Sequence, residues 1–156
     1  MQSAPEILIV DDNPADVVLV REALAETAHQ SRVHSVGGAD EAIAYLRHEG
    51  TYRNTVRPDL VILDLSLVRR DGSKVLSTLK SQADLRQIPV VVFSSSAANG
   101  DVTRSYALGA NCYVSKPADL KRFFSTVRAI EEFWFTYARL PQKENDERSS
   151  YARTTD

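Results

Sequence analysis

The chain has 156 residues, a formal net charge of −2 and 43% hydrophobic residues, which fits one small globular domain with a filled core. Its apolar runs are far too short to span a bilayer, its amino terminus lacks the basic and apolar regions of a secretion signal, and no basic patch is interleaved with aromatic residues. We therefore expect a cytoplasmic protein that binds neither membranes nor nucleic acid. The single cysteine, Cys112, excludes an internal disulfide and any cysteine-rich metal site.

Short apolar runs alternate with amphipathic stretches along the chain and predict five strands and five helices. Asn13 followed by Pro14 predicts an N-cap with proline at the first helical position. In chain order the predicted elements are a strand over 6–11, a helix after Pro14 with a face of Val17, Val20, Leu24 and Ala28, a strand over 33–36, a helix that ends by Gly50, a strand over 60–64, a helix after Gly72, a strand over 90–94, a helix over 102–108, a strand over 112–115 and a helix after Pro117.

This alternation predicts an α/β domain with a parallel sheet, covered by helices on both faces and joined by right-handed crossovers. The domain is expected to take up residues 5–140. Residues 141–156 are polar, carry no apolar period and are predicted to form a disordered tail. Because such a tail cannot bury enough apolar surface to make a DNA-binding or catalytic effector domain, the output is expected to pass through protein contacts.

Charged side chains close three of the predicted strands. Asp11 and Asp12 follow the first strand, Asp64 ends the third, and Lys116 follows the fifth. The carboxyl ends of parallel strands meet at one edge of a sheet, so the sequence predicts one cleft that holds three carboxylates and an ammonium. Crowded carboxylates need a cation, and oxygen ligands favour Mg²⁺ over zinc. An aspartate in such a cleft can act as a nucleophile toward a phosphoryl group, whose charge the metal and the lysine would neutralise.

Four motifs, in this order and spacing, carry a resemblance to a known family. They are Ile7–Asp12, Val61–Asp64, Val90–Ser94 and Tyr113–Pro117. Over about residues 5–140 the chain resembles the receiver domain of two-component response regulators. More narrowly, it resembles the stand-alone regulators paired with bacterial and cyanobacterial phytochrome kinases, through Asp11–Asp16, Gly109–Tyr113 and Glu132–Trp134. The resemblance implies a flavodoxin-like, doubly wound sheet of five parallel strands in the order 2-1-3-4-5.

The resemblance also implies that Asp64 accepts a phosphoryl group from a phosphohistidine of a partner sensor histidine kinase, which in the narrower match is a bacteriophytochrome. Lys116 would pair with Asp64 and then with the phosphoryl oxygens, next to a Lys116–Pro117 bond that is cis in the family. Mg²⁺, for which Mn²⁺ is able to substitute, would be held principally by the Asp12 carboxylate, with the neighbouring Asp11 carboxylate, directly or through water. Asp64 and the main-chain carbonyl of Ser66 would complete the protein ligands.

Ser94 and Tyr113 take the positions that the family uses as a switch. The Ser94 hydroxyl would turn inward to bond the phosphoryl group, and the Tyr113 ring would follow the movement of the loop after Ser94. In the family, the residues two positions after the acceptor and two positions after the switch residue flank the attacking water and tune hydrolysis of the acyl phosphate. Here these residues are Ser66 and Ser96, and neither is a strong base or carries a carboxamide. Self-dephosphorylation is therefore expected to be slow. Taken singly, each of these residues has a simpler explanation as a cap, a polar strand end or ordinary packing, so the roles rest on the whole set.

Two other functions compete with that of a phosphoacceptor. A Mg²⁺-dependent phosphohydrolase would use Asp64 as a transient nucleophile, but such enzymes want a second aspartate two residues later, where this chain has Ser66. A receiver-like interaction module that takes no phosphate would not need the complete set of pocket residues. We therefore interpret the chain as a signalling phosphoacceptor and not as an enzyme that turns over a substrate.

Aromatic residues near the carboxyl end predict a contact surface. The consecutive residues Phe133, Trp134 and Phe135, together with Tyr137, cannot all face the core from one helix. The alternative is that a C-terminal extension folds back and buries them within the monomer. In related regulators the face made by the fourth helix, fifth strand and fifth helix commonly dimerises, so the resemblance implies a homodimer through residues near 102–140.

Overall fold

A computed structural model describes residues 3–65, 71–96 and 98–142 of the chain. Its strands are β1 (Glu6–Val10), β2 (Arg32–Val36), β3 (Leu60–Leu63), β4 (Val90–Ser94) and β5 (Cys112–Ser115). They form one five-stranded sheet in the order β2-β1-β3-β4-β5, and every neighbouring pair is parallel. The predicted strand order is therefore confirmed.

Among the described residues there are five α-helices, of which the first four connect successive strands and the fifth follows β5. They are α1 (Pro14–Ala25), α2 (Ala39–Arg47), α3 (Asp71–Ser81), α4 (Asn99–Ala107) and α5 (Leu120–Glu132). A short 3-10 helix (Gly50–Tyr52) follows α2, and a π-helix (Phe133–Tyr137) continues α5. The Asn13 side chain accepts hydrogen bonds from the backbone N–H groups of Ala15 and Asp16, which confirms the predicted N-cap.

The limits of three helices differ from the prediction. The helix α1 ends at Ala25, so Ala28 lies beyond it and is exposed. The helix α3 begins at Asp71 and so contains Gly72, which was expected to precede it.

The helix α4 begins at Asn99 and not at Val102. Its first turn is polar, so the apolar pattern of the sequence does not reveal it. The backbone N–H groups of Asp101 and Val102 both donate to the Ala98 carbonyl and close this turn.

The core consists of two apolar layers, one on each face of the sheet. Alternate residues of the central strands belong to different layers, so that Leu8 and Val10 face α2 and α3 while Ile7 and Ile9 face α1 and α5. Strands that are covered on both faces are apolar at every position, which explains the continuous runs in the sequence. In the described part of the chain, no helix is long and apolar enough to cross a membrane.

The C-terminal extension packs back onto α1 and the loop that follows it. The His29 ring pairs with the buried Glu131 carboxylate and lies against the Phe135 ring, with 6.1 Å between the ring centroids. One helical turn earlier, the Arg128 guanidinium donates to Glu26 over 2.8 Å. These pairs join the end of α1 to α5 on the face of the sheet opposite α2 and α3.

Candidate functional site

The carboxyl edge of the sheet brings the predicted acidic and basic residues together. The backbone N–H of Asp11 donates to Val36, that of Asp64 donates to Val10, and that of Lys116 donates to Ser94. Each bond extends the parallel ladder by one residue beyond the strand end. The side chains that follow β1, β3 and β5 are therefore fixed at neighbouring points by the regular geometry of the sheet.

The Lys116 ammonium lies at the centre of the site. Its Nζ atom is 2.8 Å from Oδ2 of Asp11, 2.8 Å from Oδ2 of Asp64 and 2.8 Å from Oδ2 of Asp16. Only 5% of the Lys116 side chain and 4% of those of Asp11 and Asp64 are exposed, whereas 22% of the Asp16 side chain is exposed. An ammonium has three N–H donors, so the three carboxylates use all of them.

Burial and hydrogen bonding act in opposite directions on the pKa values of Lys116 and Asp11. Burial by itself would lower the pKa of the Lys116 ammonium, but its hydrogen bonds to Asp11, Asp16 and Asp64 outweigh burial, so this pKa lies above its ordinary value. The pKa of Asp11 is also raised, because burial outweighs the hydrogen bonds from Lys116 and Asn13. A simple ion pair would lower the pKa of its carboxyl group. At Asp11, burial therefore has a larger effect on the pKa than the ion pair with Lys116.

Asp16 was not assigned a role by the sequence, although it belongs to the motif Asp11–Asp16. It lies in the first turn of α1, one hundred positions before Lys116. No local pattern in the sequence shows that this turn faces the end of β5. The available signal was the position of a third acidic residue on a helix that begins directly at the predicted cleft.

A second set of contacts joins the end of β4 to Tyr113. Ser94 is fully buried, and its Oγ atom lies 3.4 Å from the backbone nitrogen of Ser96, which donates to it. The Tyr113 hydroxyl donates to the main-chain carbonyl of Ser96 over 2.6 Å. The backbone N–H of Tyr113 donates in turn to the Tyr106 hydroxyl of α4 over 3.3 Å. Tyr113 thus ties the loop after Ser94 to β5 and α4.

Residues 7–128 match the family model of the response regulator receiver domain. The chain belongs to this family. Response regulator Rcp1 of Synechocystis sp. is 41% identical to it over 135 residues, which are 86% of this chain and 92% of Rcp1. The crystal structure of the phosphorylated cyanobacterial phytochrome response regulator RcpA is 46% identical, covers 90% of this chain and 100% of its own, and has a TM-score of 0.86. The Mn²⁺-bound form of Rcp1 is 40% identical, with 88% and 99% of the two chains covered and a TM-score of 0.84.

Within the receiver domain, the structure places most of the predicted pocket residues at one edge. Asp11, Asp64, Ser94 and Lys116 lie at the ends of neighbouring strands and are all buried or nearly so. The Lys116–Pro117 bond, which is cis in the family and whose state the sequence leaves open, is trans here, since no cis peptide bond occurs among the described residues. The Lys116 ammonium reaches Asp11 and Asp64 with a trans bond, the isomer that X–Pro bonds intrinsically prefer.

The donor set of the receiver pocket suits a hard divalent cation. Asp11 and Asp64 are buried carboxylates that share one ammonium with Asp16. Asp12 is exposed at the rim, and Ser66 lies outside the described residues. Among the residues that are described, no three His, Cys, Asp or Glu side chains already form a group that could hold a metal ion. The predicted set of Asp11, Asp12, Asp64 and the Ser66 carbonyl therefore stays a prediction.

The C-terminal aromatic residues divide between the core and the surface of the receiver domain. Trp134 and Phe135 are partly buried against the apolar layer that contains α1 and α5. Phe133 is 54% exposed and Tyr137 is 72% exposed. Folding back within the monomer thus accounts for two of the four aromatics, the consecutive residues Trp134 and Phe135, and leaves Phe133 and Tyr137 exposed. Residues 143–156, most of the predicted disordered tail, lie outside the described residues.

Proposed function

We propose that this response regulator accepts a phosphoryl group on Asp64 in a Mg²⁺-dependent reaction and passes the signal on through protein contacts. The observation that carries the proposal is the Lys116 ammonium held 2.8 Å from the buried carboxylate of Asp64. A cation at that distance is placed to neutralise the charge of a phosphoryl group on Asp64.

In the proposed transfer, an Asp64 carboxylate oxygen attacks phosphorus, and the bond from phosphorus to the imidazole nitrogen of a phosphohistidine breaks with its electron pair. The products are an acyl phosphate on Asp64 and a neutral imidazole after one proton is taken up. Asp11, Asp12 and Asp64 would hold Mg²⁺ together with the Ser66 carbonyl, and the metal would supply charge neutralisation at the phosphoryl oxygens. Lys116 would bond the same oxygens.

Intact mass tests the transfer. After incubation with acetyl phosphate and Mg²⁺, the wild type is expected to gain one phosphoryl group, and Asp64→Asn is expected to gain none. Asp40→Asn serves as the control, because Asp40 is an exposed acid whose side chain is 94% exposed. A wild type that gains no adduct, or an adduct that persists in Asp64→Asn, would refute the proposal.

Calorimetric titration with Mg²⁺ and Mn²⁺, in which Asp12→Asn should weaken binding, measures the metal site without any phosphorylation.

The switch is proposed to act through Ser94 and Tyr113. A Ser94 hydroxyl that turns to a phosphoryl oxygen gives up its contact with the Ser96 nitrogen, and the Ser96 carbonyl that Tyr113 bonds moves with the loop. Tyr113→Phe removes this bond and keeps the ring. We expect the variant to be phosphorylated on Asp64 like the wild type, but to show smaller phosphorylation-dependent changes in the amide resonances of β5 and α4.

The partner kinase is proposed to be a sensor histidine kinase of the phytochrome class. Support comes from the 46% identity to a cyanobacterial phytochrome response regulator over 90% of this chain. Phosphotransfer from a purified, autophosphorylated bacteriophytochrome kinase, compared with a histidine kinase of an unrelated sensor class, tests the proposal. Equal rates with both kinases would count against it.

Self-association is proposed through α4, β5, α5 and the exposed aromatics that follow. Among the described residues, large exposed hydrophobic side chains concentrate between positions 106 and 137: Tyr106, Leu120, Phe133 and Tyr137. Apolar surface of this kind marks interaction sites when it is contiguous. In size-exclusion light scattering, the double variant Phe133→Ser, Tyr137→Ser should lose dimer, whereas Val18→Ser on α1 should not. A wild type that stays monomeric with and without acetyl phosphate would contradict the dimer.

A phosphate-independent interaction module is the second candidate. The observation that favours it is that all three N–H donors of Lys116 already bond carboxylates, so a phosphoryl oxygen would have to displace one of these bonds. If Asp64 takes up no phosphoryl group while the aromatic surface still mediates a dimer, this second function is the correct one.

A further inference from the structure

Asp16 is a partly buried carboxylate of the pocket, and the proposed phosphotransfer gives it no role. Its Oδ2 atom lies 2.8 Å from Nζ of Lys116, which equals the distances of the two aspartates at the strand ends. It is also the most exposed of the three, with 22% of its side chain accessible. Asp16 therefore occupies the solvent side of the ammonium, and the strand-end carboxylates occupy the interior side.

The start of α1 fixes Asp16 relative to Asp11. The backbone N–H of Asn13 donates to Oδ1 of Asp11 over 2.9 Å, and the backbone N–H of Asp16 donates to the Asn13 side-chain oxygen over 3.3 Å. Both carboxylates then bond Lys116, so the segment closes a ring of contacts through the ammonium. A carboxylate in the first turn of a helix is also favoured by the partial positive charge of the helix amino terminus.

We propose that Asp16 is a positioning residue, whose carboxylate accepts the outward hydrogen bond of Lys116 and so holds the ammonium between Asp11 and Asp64. The inference rests on the proposed phosphotransfer to Asp64. A lysine side chain is flexible, and two contacts on one side leave its ammonium free to swing toward solvent. The third contact, with Asp16 on the solvent side, restricts this movement before a phosphoryl group arrives. The ammonium therefore loses less conformational freedom during the reaction.

The charge of Asp16 and its hydrogen bond to Lys116 predict opposite effects on the phosphorylation rate when Asp16 is replaced. The two contributions can therefore be separated. Removal of a negative charge weakens the repulsion of an anionic phosphoryl donor and would speed phosphorylation. Loss of the acceptor frees Lys116 and would slow it. Asp16→Asn removes the charge and keeps an acceptor oxygen, whereas Asp16→Ala removes both. Glu22→Ala serves as the control, because it removes a negative charge from an exposed position of α1.

The test has two measurements on the full chain. The first is the rate of phosphorylation by acetyl phosphate with Mg²⁺, followed by intact mass. The second needs neither metal nor phosphate: an amine-reactive ester labels the lysines, and peptide mass spectrometry reports Lys116 relative to the exposed Lys121. Thermal unfolding followed by circular dichroism verifies that each variant is folded.

We expect Asp16→Ala to be phosphorylated about tenfold more slowly than the wild type, which is the order expected for one lost charge-assisted hydrogen bond. Asp16→Asn and Glu22→Ala should stay within about twofold of the wild type. Labelling of Lys116 relative to Lys121 should rise several-fold in Asp16→Ala only. Rates that rise in both Asp16 variants, or Lys116 labelling that is unchanged in Asp16→Ala, would overturn the inference. A wild type that takes up no phosphoryl group refutes the proposed function instead, and the labelling result still decides whether Asp16 holds Lys116.

Discussion

Gly72 and Gly100 occupy the same position in their helices, and replacing each by alanine tests how closely α3 approaches the backbone after β3. Gly72 is the second residue of α3, and Gly100 is the second residue of α4. A Cβ atom at Gly72 would lie 2.9 Å from Cα of Leu65, 3.1 Å from the carbonyl oxygen of Asp64 and 3.1 Å from that of Leu65. A Cβ atom at Gly100 would meet no heavy atom within 4 Å. The same Gly→Ala change therefore adds a methyl group to a crowded backbone in one helix and to open space in the other.

The two substitutions should change stability in opposite directions. In a helix interior, alanine is more favourable than glycine by up to about 1 kcal/mol, so Gly100→Ala is expected to stabilise the protein by about 0.5 kcal/mol in the first turn. At Gly72 the gain is the same, but the contacts at 2.9 and 3.1 Å are with main-chain atoms that cannot swing away. Overpacking of this kind costs about 1–3 kcal/mol, so Gly72→Ala is expected to lose about 1–2 kcal/mol net.

Urea denaturation followed by circular dichroism measures both changes, and the intact-mass assay adds the functional consequence. Because the atoms that must move belong to the backbone of Asp64 and Leu65, Gly72→Ala should also slow phosphorylation of Asp64 by at least about tenfold. Gly100→Ala should leave the phosphorylation rate unchanged. If Gly72→Ala proves as stable as Gly100→Ala, the close approach of α3 to the acceptor strand does not exist and the reasoning fails.

Four further substitutions test two charged contacts and one helix cap. Lys116→Met should cost about 3 kcal/mol at neutral pH, because buried carboxylates lose their cation. Without Lys116, Asp11 loses a hydrogen bond that opposes the effect of burial, so its pKa, already raised in the wild type, rises further. Acid then protonates Asp11 in the folded variant, and the loss of stability relative to the wild type becomes smaller as the pH falls. A loss of stability that does not depend on pH would contradict this. Asn13→Ala removes the α1 cap and should cost about 1 kcal/mol in urea denaturation, whereas no change would argue against the cap. His29→Ala, which leaves the buried Glu131 carboxylate without this partner, should destabilise by about 2 kcal/mol and more than Glu131→Gln, and the reverse order would refute that pairing.

Local sequence patterns specify the strands and the outline of the pocket. The continuous apolar runs are necessary for strands that are covered on both faces, and they locate β4 and β5 at the limits that the structure shows. Asn13–Pro14 locates the start of α1, because capping is a local interaction between residues that are close in the chain. Once the strands are parallel, Asp11, Asp64 and Lys116 must share one edge, so their proximity follows from topology.

Which groups touch depends on the packing of elements that are distant in the chain. The bond between Asp16 and Lys116 joins residues one hundred positions apart and depends on how α1 packs across the sheet, which no local pattern records. The partial burial of Trp134, beside the exposure of Phe133, depends on how the segment after α5 packs against the apolar layer of α1 and α5. Long-range packing, and not sequence spacing, sets such contacts, because helix propensity and period describe single elements and leave their mutual orientation open.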